Sequence, residues 1–138
     1  MISNHPPHFA IIGAGTAGLA TAILLARQNI QVSILEKASE LEPVGAGLLL
    51  QPSGLAVFEH LGLLDEVLRL GAKVTGLKGQ LPSGNLLVNS HYQQAHPDFY
   101  GVGIHRATLC HILENKCREY PELITWQMNT DIQTLEET

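Results

Sequence analysis

Six residues, Gly13-Ala14-Gly15-Thr16-Ala17-Gly18, constrain this chain more than any other stretch because of what flanks them. Residues 9–12, Phe-Ala-Ile-Ile, form an unbroken apolar run, the pattern of a parallel strand covered on both faces. Residues 16–29 then carry Leu19, Ala22, Ile23 and Ala26 at helical spacing without a proline, and Asn29 offers a left-handed stop. Residues 30–35 follow at once as a second strand, rich in β-branched side chains and ending at Glu36. Strand, helix and strand in so short a span predict a βαβ unit with a right-handed crossover and a parallel sheet. The fold class expected is α/β, Rossmann-like.

The glycines have separate jobs in such a bend. Gly13 permits the tight turn out of the strand, Gly15 lets the backbone approach a diphosphate with no Cβ in the way, and Gly18 lets helix and sheet pack closely. The helix starting there points free N–H groups and a positive dipole end at the phosphates. Glu36, at the end of the second strand, can accept hydrogen bonds from ribose hydroxyls, and it would repel a 2′-phosphate at that position. The bland alternative makes Glu36 a surface cap on a strand. Buried strand, amphipathic helix and acid together favour a dinucleotide.

The rest of the chain alternates short elements. Residues 41–52 read as a glycine-punctuated loop, and Ser53 as the N-cap of a short helix containing Leu55, Val57, Phe58 and Leu61. Gly62 breaks it, and residues 63–70 resume helix until Gly71. Residues 74–81 and 86–88 flank Pro82-Ser83-Gly84-Asn85, which predicts a hairpin. Residues 91–97 read as irregular. Residues 106–120 are helical, with Leu109, Ile112, Leu113 and Cys117 on one face, and 123–127 and 132–135 read as strands. No linker divides the chain, so residues 1–138 are taken as one domain, with about 72–103 a β excursion.

Composition narrows the partners. A formal net charge of −5 and scattered Lys and Arg residues argue against nucleic acid. The longest apolar stretch near the start, residues 19–26, is far short of a membrane span. The first residues show no basic n-region with a following apolar core, so a cytoplasmic protein is expected. Cys110 and Cys117 would lie about 10 Å apart on a helix, too far for a disulfide, and read as core thiols. Seven histidines, His105 beside Arg106 among them, form no metal-ligand pattern, so no metal is expected.

Two further blocks point to a family. Residues 45–65, Gly-Ala-Gly-Leu-Leu-Leu-Gln-Pro-Ser-Gly-Leu-Ala-Val-Phe-Glu-His-Leu-Gly-Leu-Leu-Asp, resemble the second block of the class A FAD-dependent monooxygenases, the para-hydroxybenzoate and salicylate hydroxylase group. Ile104-His105-Arg106-Ala107-Thr108-Leu109, followed by Ile112-Leu113, is similar to the family's third block. The resemblance spans about residues 9 to 113. It implies an FAD cofactor whose diphosphate meets Gly13, Gly15, Thr16 and Ala17, with Gly18 packing the bend. It also implies that Glu36 holds the adenosine ribose with Lys37 beside it. Gly47 and Leu48 would approach the flavin, and Arg106 would reach the cofactor's middle, where a guanidinium suits phosphate oxygens. An arginine often found just before the second block is replaced here by Pro43-Val44.

The implied activity is hydroxylation of an aromatic-like small molecule with NAD(P)H and O2. The alternatives are an FAD-dependent reductase or oxidase of the same fold, or a non-catalytic dinucleotide-binding fragment. The family's later Asp-Gly and Gly-Asp signatures have no counterpart before Thr138, so an N-terminal portion, incomplete relative to the full family fold, is expected. No catalytic side chain is assigned within it. Alone it is expected to be inactive, and an open sheet edge to favour self-association.

Overall fold

The computed structural model describes residues 7–41 and 45–136, and the chain divides into two units. One takes the residues up to 44 together with those from 109 onward; the other takes residues 45–108.

The first unit is built on the expected βαβ. Strand β1 (His8–Ile12) leads into helix α1 (Thr16–Ala26), and β2 (Gln31–Leu35) lies parallel to β1 with Phe9 opposite Val32 and Ile11 opposite Ile34. Strand β8 (Ile124–Gln127) pairs parallel on the other side of β2, so the sheet order is β1-β2-β8. As the central strand, β2 buries three successive residues, Val32, Ser33 and Ile34, which requires cover on both faces. Ser33, the one polar member, is satisfied by hydrogen bonds of 2.9 Å to His8 Nε2 and to Thr125 Oγ1. The turn back from α1 passes through Asn29 at φ +60°, the left-handed stop its side chain tolerates.

Helix α1 buries Leu19, Ala22, Ile23 and Ala26, the stripe expected from their spacing. Helix α4 (Arg106–Cys117) buries Leu109, Ile112, Leu113 and Cys117, again as expected. The Cys117 thiol donates to the Leu19 carbonyl at 3.5 Å, which sets α4 against α1.

Two expectations in this unit differ from the structure. Strand β1 is not covered on both faces: Phe9 is 46% and Ile12 58% exposed. It is an outer strand with one strand neighbour among the described residues, so its apolar run lacks the cover β2 receives. Residues 132–135 form no strand, and Leu135 is 82% exposed. After β8 the chain turns through Asn129 at φ +54°, and the Thr130 amide donates to the Glu36 carbonyl, which takes the backbone out of the sheet's plane of pairing.

The second unit holds an antiparallel sheet of order β3-β7-β4, from β3 (Gly47–Leu50), β4 (Ala72–Val74) and β7 (Gly101–His105). The part of residues 41–52 read as loop therefore contains a strand, and β7 is a strand that its two glycines disguise. Gly101 has to be small, since a Cβ there would meet Tyr92 Oη at 2.7 Å and Leu49 Cδ1 at 3.0 Å. Helix α2 (Pro52–His60) begins two residues earlier than the Ser53 cap predicts: Gln51 is the N-cap and Pro52 takes the first turn, where its missing N–H costs nothing. Gly62, at φ +67°, makes the break into α3 (Leu64–Leu70). Leu55, Phe58, Leu61, Leu63, Val67, Val102 and Ile104 are buried and form this unit's core.

The hairpin comes out as expected, from β5 (Gly76–Gln80) and β6 (Leu86–His91), and β6 runs three residues longer than the pattern suggested. Val88 faces Gly79, and Leu77, Leu87 and Val88 all remain largely exposed. The fold is thus mixed α/β, a parallel sheet in one unit and antiparallel strands in the other. No helix among the described residues is long and apolar enough to cross a membrane.

Candidate functional site

The bend between β1 and α1 has the geometry its glycines suggest. Gly13 sits at φ +96°, a conformation that excludes most side chains, and its amide donates to the Leu35 carbonyl at 2.8 Å. That bond ties the turn to the end of β2. Gly15 is the N-cap of α1, extended at φ −77° and ψ 178°, and Leu19 N–H donates back to its carbonyl at 2.9 Å. The first-turn amides ahead of Leu19 have no intrahelical acceptor and point out of the helix end. Space for a ligand lies in front of them, because a Cβ built on Gly13 or Gly15 meets nothing within 4 Å. Gly18 is the opposite case: a Cβ there would run into the Gly13 carbonyl oxygen and sit 3.1 Å from Ile11 Cγ2. Gly18 closes the packing and Gly15 keeps the approach open.

Glu36, the residue after β2, reaches the same bend through its side chain. Its Oε2 accepts the Ala14 N–H at 2.7 Å, and its Oε1 accepts the Ala38 N–H at 2.9 Å. These bonds, Ala38's first and Ala14's second, hold the carboxyl below the usual glutamate range against the raising effect of partial burial, with help from the Lys37 charge. The group is therefore a carboxylate at neutral pH, beside the open face of the bend. Thr16, Ala17 and Lys37 stand where the sequence places them, on the first turn of α1 and directly after Glu36.

Next to this loop the first unit has a cavity of about 380 Å³, walled by Ser39, Glu40 and Leu41 on one side and by Trp126 and Met128 on another. The Arg118 guanidinium covers the Trp126 ring at 5.3 Å and is held by Glu114 at 2.6 Å. Sequence reasoning missed this cavity. Trp126 and Arg118 are far from any glycine motif, and only the pairing of β8 with β2 brings that strand beside the loop after Glu36.

The remaining candidates belong to the second unit. Gly47 pairs with His105 and Leu48 with Ile104 across β3 and β7, and the Arg106 amide donates to the Ala46 carbonyl at 3.2 Å. Gly45, at φ +139°, lies under the Arg106 side chain: a Cβ there would be 3.2 Å from both Arg106 Cβ and Cδ. The glycine thus leaves room for the arginine stem, whose head is exposed. Gly47, Leu48 and Arg106 form one group at the start of β3 and the end of β7. His105 is exposed, and its Nδ1 accepts the Ala107 amide at 3.3 Å. Pro43 and Val44, noted for a missing arginine, lie outside the described residues.

Comparison with known proteins follows the same line. Residues 8–138 match the family described as "FAD binding domain". The chain is 38% identical over 104 residues to 3-hydroxybenzoate 6-hydroxylase of Klebsiella oxytoca, covering 72% of this chain and 26% of that protein. It is 38% identical over 69 residues to 3-amino-4-hydroxybenzoate 2-monooxygenase of Streptomyces cremeus, covering 50% of this chain and 18% of that one. Among solved structures, PqsL of P. aeruginosa in complex with 2-aminobenzoylacetate superimposes with a TM-score of 0.84 at 27% identity, over 96% of this chain and 36% of PqsL. The chain thus spans between 18% and 36% of the length of these relatives.

Proposed function

Because the chain belongs to the FAD binding domain family, we propose that it is the N-terminal part of a flavin-dependent monooxygenase that hydroxylates a small aromatic molecule with NAD(P)H and O2. FAD is the cofactor of that family, and the glycine bend fits it: open space in front of Gly13 and Gly15 meets a helix end with unpaired amides. That cradle is the observation that carries the reading. The diphosphate would be held by the amides of Gly15, Thr16 and Ala17, with Gly13 and Gly18 shaping the turn. Glu36 would accept hydrogen bonds from the adenosine ribose, with the Lys37 charge beside it. Gly47 and Leu48 would lie toward the flavin, and Arg106 would neutralise charge at the cofactor's middle. When bound, the flavin supplies the redox chemistry, taking electrons from NAD(P)H and delivering them to O2. This chain's own part is to bind and orient.

The named relatives act on hydroxylated or amino-substituted benzoates, which supports an aromatic substrate class. Because the matched region is only 18% to 36% of the length of the relatives compared, the 138 residues alone are proposed to give no substrate-dependent turnover. The exposed β1 edge, with Phe9 and Ile12 open, supports self-association of the isolated chain.

Titration with FAD, followed by flavin fluorescence and absorbance, tests the reading. Saturable FAD uptake that is weakened by Glu36→Arg is the expected result. Uptake of NAD in preference to FAD would sink it, and FAD uptake unchanged by Glu36→Arg would remove Glu36 from the ribose.

A further inference from the structure

Glu36 makes more contacts than a sugar ligand requires. Both its oxygens are engaged by the chain's own backbone, Oε2 by the Ala14 amide in the glycine bend and Oε1 by the Ala38 amide in the loop after β2. We infer that Glu36 is also a positioning residue, a clip that joins these two loops and holds the phosphate cradle in shape before the cofactor arrives.

Three observations carry this. Ala14 is 4% exposed and its N–H is satisfied by Glu36 in a partly buried bond, so without the carboxylate that donor loses its protein acceptor, at a cost. The amide on its other side, that of Gly13, is bound to the end of the same strand through the Leu35 carbonyl at 2.8 Å, so β2 holds the bend at two consecutive residues. An acid is also the side chain that can do both jobs. A carboxylate is acceptor-only with about four lone-pair sites, so two backbone amides leave two for ribose hydroxyls. Glutamine has one acceptor oxygen and would turn its NH2 toward one of the two amides. Aspartate is a methylene too short to bridge both.

The clip changes the division of labour at the site. The Ala14 amide is withdrawn from the diphosphate, which meets N–H groups from Gly15 onward. The ordering of the bend is settled at folding rather than at binding, which favours affinity. The functional meaning of the clip rests on the FAD reading; the clip itself does not. The residues around Glu36 leave the assignment clean: residues 13–18 and 127–130 bring no ionisable side chain, and residues 37–41 bring Lys37, which favours the carboxylate, and Glu40.

An NMR titration of the whole chain without FAD tests it. The amide protons of Ala14 and Ala38 should shift together along one curve, with a midpoint below the ordinary glutamate value of 4.5. Glu36→Gln should abolish that shift and speed hydrogen exchange at Ala14 by about tenfold or more. An Ala14 resonance that stays flat while Ala38 moves, or exchange unchanged in the variant, overturns the clip. If Glu36→Gln does not fold, the titration of the unaltered chain decides alone. FAD uptake is scored separately: both amides tracking Glu36 without FAD binding keeps the clip and removes the cofactor reading, and FAD binding with a flat Ala14 does the reverse.

Discussion

At the scale of single residues, two glycines of the bend that look alike in sequence behave oppositely. Gly15 borders open space, while a Cβ on Gly18 would strike the Gly13 carbonyl. Gly18→Ala should therefore separate the bend from α1 despite alanine's better helix propensity, lowering stability by about 1–3 kcal/mol. It should also weaken FAD uptake more than tenfold; chemical denaturation and flavin fluorescence check the two effects. Cys117 offers an independent check on α4. Burial, and secondarily the nearby Glu114 charge, push its thiol up to about 12. Thiol alkylation at pH 8 should leave Cys117 unmodified in the folded chain and reach it on unfolding, as peptide mass mapping would show. Ready labelling of native Cys117 would contradict the packing of α4 on α1.

At the scale of elements, the legible parts were those with local periodicity. The buried stripes of α1 and α4 stand in the sequence at helical spacing, and the structure buries the same residues. Strands β3 and β7 were less legible because their partners lie some fifty residues away and glycines occupy positions where a strand normally carries side chains. Those glycines answer to neighbours, as Gly101 answers to Tyr92 and Leu49. The break between α2 and α3 is a backbone matter instead. With Gly62 at φ +67°, Gly62→Ala should cost about 1 kcal/mol, read as a lower urea midpoint with the slope unchanged. A neutral effect would mean that the junction does not need the left-handed conformation.

For the whole molecule, Glu36 links acid stability to the site. Its carboxyl is held below the ordinary value in the folded state, so its contribution is complete above about pH 4.5 and is lost as pH falls through the lowered value. Thermal melting of the apo chain should thus fall on acidification below that point, and Glu36→Gln should flatten this part of the profile. An identical acid profile in the variant would show that other carboxylates set it. The exposed apolar residues of β1 and of the β5–β6 hairpin predict concentration-dependent association, which sedimentation velocity would detect. A monomer at all concentrations would count against the open edge as a contact.

The sequence by itself determined the βαβ start, the glycine bend and the acid placed beside it, since each is encoded within a few neighbouring residues by backbone freedom, apolar spacing and charge. It also carried enough of the second and third blocks to indicate the family. Only the tertiary structure decided that β1 is an outer strand and that β3 and β7 pair. It likewise decided that Trp126 stands beside the loop after Glu36, and that this acid grips the Ala14 amide. Those features depend on which distant segments meet, and loop closure over tens of residues leaves no local periodicity to read.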